Sequence, residues 1–293
     1  MELSLYLSTQ PLAFILVSLV LGLIVGSFLN VVIYRLPVML ERQWREQCHE
    51  FLELAETSSD NNKKFNLSTP ASTCPHCQHK IKPWENIPVI SYLFLRGRCS
   101  ECKQSIALRY PTIELVCGLM TACIAWHFGY EWQALFAMLL TWSLICLAVI
   151  DFDTKLLPDV ITLPILWLGI FININHTFVP LQDSVLGAII GYMSLWSIYQ
   201  IHHLLTGKEG MGYGDFKLLA MLGAWLGWQS LLLIVLLSSV VGATVGIGLI
   251  LLKGRDHQVP IPFGPYLATA GWISLLWGPA IMQMYFGITG ISH

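Results

Sequence analysis

Pro11-Leu-Ala-Phe-Ile-Leu-Val-Ser-Leu-Val-Leu-Gly-Leu-Ile-Val-Gly-Ser-Phe-Leu-Asn-Val-Val-Ile-Tyr34 runs for 24 residues without a charged side chain. Crossing the roughly 30 Å hydrocarbon core of a bilayer takes about 20 helical residues, so this stretch reads as a membrane span. The chain opens Met1-Glu2-Leu3-Ser4, with an acid where a secretory signal carries a basic region. The first span is therefore expected to stay uncleaved. The whole chain repeats the pattern: 55% of its 293 residues are hydrophobic and 12% are charged, against about 45–50% and 25% in soluble domains. A net charge of -2 without a basic stripe gives no reason to expect nucleic acid as a partner.

Working outward from that span, hydropathy marks seven more apolar segments, at 110–128, 132–150, 158–174, 185–205, 218–228, 231–252 and about 264–286. If eight spans alternate, all 16 Lys and Arg fall on one side. Eleven lie from Arg35 to Arg109, and the rest are Lys155, Lys208, Lys217, Lys253 and Arg255. Basic loops stay cytoplasmic, so both termini are expected to face the periplasm. The expectation is an all-α polytopic membrane protein of about eight transmembrane helices. Its domains would be 1–36, the first span; 37–109, a cytoplasmic loop; and 110–293, seven further helices. In the loop, 43–54 reads as a short polar helix, and the stretch after it, within 41–67, as a mobile linker.

That loop carries Cys74-Pro-His-Cys77 and Cys99-Ser-Glu-Cys102, two knuckles 21 residues apart. Each knuckle brings two thiolates onto one turn, and two knuckles complete a tetrahedron of sulfur, the pattern of a structural zinc site. Two disulfides or free thiols are the alternative, and a reducing cytoplasm disfavours the disulfides. His76 and His79 read as bystanders. Cys117, Cys123 and Cys146 lie in spans and read as small packing residues.

Acids within or beside spans are costly and hence functional candidates. Here they are Glu114, Asp151, Asp153, Asp159 and Asp215. Asp151 lies in Ile150-Asp-Phe-Asp-Thr-Lys-Leu-Leu-Pro-Asp159, where one span ends and the next begins. Asp215 lies in Gly210-Met-Gly-Tyr-Gly-Asp-Phe-Lys217, where three glycines in five residues argue for irregular backbone before a helix. Two carboxyls held close share a proton. One can then serve as base toward water while the other donates a hydrogen bond to a carbonyl. The alternative makes each acid an interface residue neutralised by Lys155 or Lys217, and Asp153 and Asp159 are read that way. Asn30 reads as an interhelical hydrogen-bonding residue.

With these residues in view, the chain resembles the type IV prepilin peptidases, bifunctional leader peptidases and N-methyltransferases. The resemblance is carried by Gly26-Ser-Phe-Leu-Asn-Val-Val-Ile-Tyr-Arg-Leu-Pro37, the paired knuckles, Arg96-Gly-Arg-Cys99, Arg109-Tyr-Pro111 with Glu114, Leu157-Pro-Asp159, and Gly212-Tyr-Gly-Asp215. It implies an aspartic endopeptidase of the bacterial inner membrane with Asp151 and Asp215 as its catalytic pair. It also implies prepilins and pseudopilins as substrates, membrane lipid as surroundings, and S-adenosylmethionine as methyl donor. No Gly-rich methyl-donor fingerprint stands in the chain, so the methyltransferase expectation rests on the resemblance alone. Glu114 either positions substrate or pairs with a basic residue. Two other classes compete. A proton- or metal-coupled transporter would place acids near span centres and often repeat a half. A scaffold built on the metal module would tolerate loss of both aspartates.

Overall fold

The computed structural model describes residues 2–52, 65–207, 210–253 and 262–289. Most of the expected linker, together with Lys208 and Arg255, lies outside them. Among the described residues all regular elements are helical, apart from two isolated β-bridges. In chain order they are α1 (Glu2–Thr9), α2 (Pro11–Phe51), α3 (Ile90–Phe94), α4 (Arg109–Phe128), α5 (Trp132–Thr154), α6 (Asp159–Ile172), α7 (Leu181–Thr206), α8 (Tyr213–Leu226), α9 (Gln229–Lys253) and α10 (Gly264–Thr289). The eight expected apolar segments correspond to α2 and α4 to α10. Five helices among the described residues are long and apolar enough to cross a membrane: α2, α4, α5, α7 and α9. The chain forms two compact units, Met1–Ala134 and Leu135–His293.

In the first unit α2 and α4 lie along each other. A Cβ on Gly26 would stand 2.8 Å from the Cα of Glu114, and one on Gly118 would stand 2.9 Å from Leu23. Lipid offers apolar side chains no reason to leave it, so such helices associate through close backbone packing at small residues. Asn30 Nδ2 donates to the Tyr110 carbonyl at 3.1 Å, the interhelical bond expected of it.

The sequence reading ended the first span at Tyr34 and put a separate polar helix at 43–54. The structure joins them. The 41 residues of α2 span about 60 Å at 1.5 Å each, twice the hydrocarbon thickness. Pro37 lies inside the helix and is buried. It removes one backbone donor, yet strong helix formers such as Met39, Leu40, Glu41 and Arg42 follow it and the helix continues. Arg35, buried on the same helix, donates to the carbonyls of Asn66 (3.0 Å) and Pro70 (2.7 Å). Arg42 stacks over the Phe65 ring at 4.5 Å. These contacts bring the chain back against α2 ahead of the first knuckle.

The second unit is built around α8. At 14 residues it is about 21 Å long, short for a bilayer, and residues from Leu218 to Leu226 are all buried. A helix apolar on every side belongs in a core, and α6, α7, α9 and α10 pack against it. The tightest approach is to α7, where a Cβ on Gly187 would run into the Gly223 carbonyl and one on Gly191 would lie 2.7 Å from the Leu219 carbonyl. The far end of α8 is tied by polar bonds. Asn173 Nδ2 donates to the Ala224 carbonyl (3.0 Å), Ser184 Oγ to the same carbonyl (2.5 Å), and Trp225 Nε1 to the Ile165 carbonyl (2.8 Å). Asn173 Oδ1 in turn accepts from the Phe178 N–H at 3.0 Å, so the fully buried amide uses both its ends.

Gly187→Leu is expected to lower the melting temperature of the detergent-extracted protein markedly, since overpacking a tight contact costs about 1–3 kcal/mol or more. Ile189→Leu, at a position 52% exposed, should leave it unchanged. Equal melting of both variants would mean the helices do not meet backbone to backbone.

Candidate functional site

Asp151 sits in the last turn of α5 and Asp215 in the first turn of α8, both within the second unit. Their relative exposures are 5% and 8%. The link that follows Asp151 packs on the start of α8, where a Cβ on Gly214 would stand 2.7 Å from Leu157 Cβ, and the charge of Asp151 acts on Asp215, so the two acids share one end of the unit although 64 residues separate them. Asp151 Oδ2 accepts from the Gly264 N–H at 3.0 Å. Asp215 Oδ1 is buried without a hydrogen-bond partner among the described residues. A buried polar atom left open in this way marks a place where water or substrate belongs.

The glycines around Asp215 act differently from the sequence reading, which placed irregular backbone up to the aspartate. Irregularity stops at Gly212, which precedes the helix with φ -79° and ψ 145°. Asp215 is already helical, its N–H bonded to the Gly212 carbonyl at 3.2 Å. Gly214 is needed for space: a Cβ there would meet Leu157 Cβ at 2.7 Å. Leu157 belongs to the short link between α5 and α6, so this contact seats that link against the start of α8. Tyr213 and Phe216 pack on Tyr199 of α7 at ring distances of 5.3 and 5.7 Å, fixing the same turn from the other side.

The remaining acids divide as follows. Asp159 pairs with Lys217, Nζ to oxygen 2.7 Å, at an exposed position. Lys217 is thus committed to Asp159 and does not neutralise Asp215. Lys155 Nζ donates to the Phe152 carbonyl at 3.2 Å. Asp153 is exposed. In the first unit Glu114 is buried and accepts the Val89 N–H at 2.8 Å. Val89 has φ +59°, an unusual conformation for a β-branched residue, and the carboxylate gives its amide a partner.

The four cysteines Cys74, Cys77, Cys99 and Cys102 converge, with all sulfurs within 4.8 Å of one another. Cys74 and Cys102 sulfurs stand 3.8 Å apart, and Cys77 and Cys99 sulfurs 3.9 Å. Four sulfurs about 2.3 Å from one ion stand about 3.8 Å apart, so the donor set fits a tetrahedral thiophilic metal. The knuckles are built alike. Gln78 and Lys103, each at φ +59°, donate to the carbonyls of Cys74 and Cys99 at 2.9 and 3.1 Å. Cys74 and Cys99 N–H groups donate to the His79 and Gln104 carbonyls, both at 2.9 Å. The Cys77 and His76 N–H groups bring the Cys74 thiol down to about 7, and those of Cys102 and Glu101 lower Cys99 likewise. Cys102 goes the other way, to about 11: the Gln104 N–H lowers it, but burial and the surrounding thiols outweigh that. Four thiolates so close together need a cation's charge to coexist. His79 is not among the converging ligand side chains; its Nε2 is hydrogen-bonded to Glu85 Oε2 at 3.1 Å. The Lys82 N–H, the Ser100 hydroxyl and His79 together hold Glu85 at about 2. Cys117 and Cys146 are buried packing residues, as read.

Sequence reasoning missed Gly264 and Asn173. Gly264 begins a helix within Phe263-Gly264-Pro265, a start signal readable by itself, but its aspartate partner lies 113 residues away. Asn173 was absorbed into an apolar segment.

A membrane helix bundle with two neighbouring buried carboxyls and a separate four-thiol module defines a class, and comparison with known proteins identifies it. Residues 20–128 match the bacterial peptidase A24 N-terminal domain and residues 138–247 match the type IV leader peptidase family. Relatives named prepilin leader peptidase/N-methyltransferase include one from Stutzerimonas stutzeri, 57% identical over 96% of both chains. Another, from Pseudomonas aeruginosa, is 53% identical over 98% of both, and one from Neisseria gonorrhoeae is 50% identical over 87% of both. The chain belongs to the type IV leader peptidase family. No solved structure matches it.

Cys74→Ser is expected to reduce metal bound by the purified protein from about one equivalent per chain to near none, measured by plasma mass spectrometry, since four-coordinate sites rarely survive loss of a ligand. Metal content unchanged by the substitution would dissociate the cluster from metal binding.

Proposed function

We propose that this chain cleaves the leader peptide from type IV prepilins and pseudopilins at the cytoplasmic face of the inner membrane, with Asp151 and Asp215 as the catalytic pair, and then methylates the new N-terminus. The observation that carries the reading is the pair itself: two buried carboxyls at adjoining helix ends, one with an oxygen that lacks a partner among the described residues. Family membership and the names of close relatives supply the substrate class and the second activity, with S-adenosylmethionine as co-substrate.

The chemistry follows from charge. Two neighbouring carboxyls in a poorly hydrated place hold one proton between them. The ionised member takes a proton from water as that water attacks the scissile carbonyl, and the protonated member hydrogen-bonds the carbonyl oxygen. When the tetrahedral adduct collapses, the proton taken from water passes to the leaving amine. The pair is thereby reset without a metal in the reacting set. Position favours such a substrate. Asp151 ends α5 and Asp215 begins α8, and the two lie on the side that carries Lys155 and Lys217. Basic residues stay cytoplasmic, which puts the pair at the inner boundary of the lipid and both termini in the periplasm. A prepilin with a basic leader and an apolar helix presents its cleavage bond at that boundary.

The four-cysteine module is read as a structural zinc site. Cys74, Cys77, Cys99 and Cys102 would hold the ion, and four protein ligands leave it no open position for a substrate. Its contribution is to fold residues 72–105 around it. The domain division at 36/37 and 109/110 stands as part of the same proposal, with the loop as module carrier and residues 110–293 as the peptidase. A coupled transporter is less well supported, because the carboxyls sit at helix ends and the family is one of peptidases.

Asp151→Asn and Asp215→Asn are each expected to lower the cleavage of a prepilin by purified protein by at least about 10³-fold, while insertion and metal content stay normal. The product is read by mass spectrometry with and without S-adenosylmethionine, the methylated form weighing one methylene more. Normal cleavage by either variant would remove the aspartic mechanism.

A further inference from the structure

The backbone that meets Asp151 comes from the start of α10, a segment to which the mechanism above gives no part. Gly264 is the first residue of α10, and the N–H of a first helical residue has no partner within its own helix. Here that N–H donates to Asp151 Oδ2 at 3.0 Å. The following donors are taken locally: the Tyr266 and Leu267 N–H groups both bond the Phe263 carbonyl, at 3.1 and 3.2 Å, and Pro265 has none. Asp151 therefore serves α10 as its cap, supplied from a distant point in the chain.

The approach is close as well as polar. A Cβ on Gly264 would stand 2.7 Å from Asp151 Oδ2 and 3.1 Å from its Cγ. Among residues only glycine leaves the carboxyl where it is; alanine would push the carboxyl or the helix aside. The neighbouring aspartate has the opposite surroundings. Asp215 Oδ1 is buried and has no partner among the described residues, which leaves that oxygen open to substrate or water.

We propose that Gly264 is a positioning residue of the aspartate pair: its N–H and its missing side chain hold the Asp151 carboxyl in place beside Asp215 for proton transfer. The inference rests on the reading of Asp151 and Asp215 as the catalytic pair. A carboxyl oxygen can accept this N–H in either protonation state, but a helix N-terminus favours the negatively charged form. Asp151 thus enters the pair as its acceptor, the member that draws the proton from water. Asp215, with its open oxygen, is the member that faces the scissile carbonyl. The link also makes α10 part of the active centre. Its lower half is anchored to α5 again by Trp272 Nε1 donating to Thr141 Oγ1 at 3.2 Å, so the helix start that touches Asp151 is held at two points.

Cleavage of a prepilin by the Gly264→Ala protein, followed over a range of substrate concentrations, tests the proposal. The expected result is a fall in kcat of about tenfold or more with KM little changed, the pattern of an interaction that matters in the transition state. A wild-type kcat would overturn it, as would a rise in KM with kcat intact. Should Gly264→Ala fail to accumulate, a second measurement decides. In Asp151→Ala the amide at residue 264 loses its acceptor and should exchange hydrogen for deuterium at least about tenfold faster than in wild type, read by mass spectrometry on overlapping peptides that begin at or before Ile261 and so retain the label at residue 264. Unchanged exchange would sink the proposal. The Asp151→Asn and Asp215→Asn variants separate the two failures. If they cleave normally the catalytic pair is wrong. If they are inactive while Gly264→Ala is normal, the pair stands and the positioning role falls.

Discussion

The second unit depends on how closely α7 and α8 approach each other. Gly187 and Gly223 face each other with no room for a methyl group on either, so the two backbones meet directly. In lipid, such contact replaces the hydrophobic effect as the force between helices. Once α8 is fixed against α7, the other helices can close around it, and the helix is buried from Leu218 to its end. Its first turn then carries Asp215 into surroundings that exclude solvent. The same aspartate on a lipid-facing or water-facing helix would be an ordinary surface acid. Its chemistry follows from the position of α8, and that position follows from missing side chains.

Polar bonds finish what the glycines begin. At one end of α8, Asn173 and Ser184 donate to its Ala224 carbonyl and its own Trp225 donates to the Ile165 carbonyl of α6. At the other, Leu157 rests on Gly214 and the rings of Tyr213 and Phe216 pack on Tyr199. The helix is held at both ends against sliding and turning. A shift of one residue would turn Asp215 by about 100°, away from Asp151.

Much of this was legible in the sequence, and the reasons for the remainder are physical. The eight apolar segments, the four-sulfur cluster and the place of Asp151 and Asp215 at span ends could be read because each rests on local composition or spacing. Partnerships across distance could not. Nothing near Asp151 announces Gly264, and nothing near Arg35 announces that Asn66 and Pro70 will offer it their carbonyls. The length of α2 was misjudged because charge begins at Arg35, and charge marks the end of lipid without marking the end of a helix. The glycines before Asp215 were read for conformational freedom, when Gly214 is there for space. A usable signal did go unread: Gly22 with Gly26, and Gly187 with Gly191, are small residues four apart on apolar helices, the spacing that brings helices together.

The unbroken course of α2 has a geometric consequence for the polar end of that helix. A helix without a break transmits phase: each residue added or removed turns everything beyond it by about 100° and moves it by 1.5 Å. Arg35 and Arg42 lie on opposite sides of Met39, and both stack on Phe65, at 5.7 and 4.5 Å. Removing Met39 would leave the Arg35 contact alone and swing Arg42 off the ring. The number of residues between Arg35 and Arg42 is thus constrained by the two contacts with Phe65.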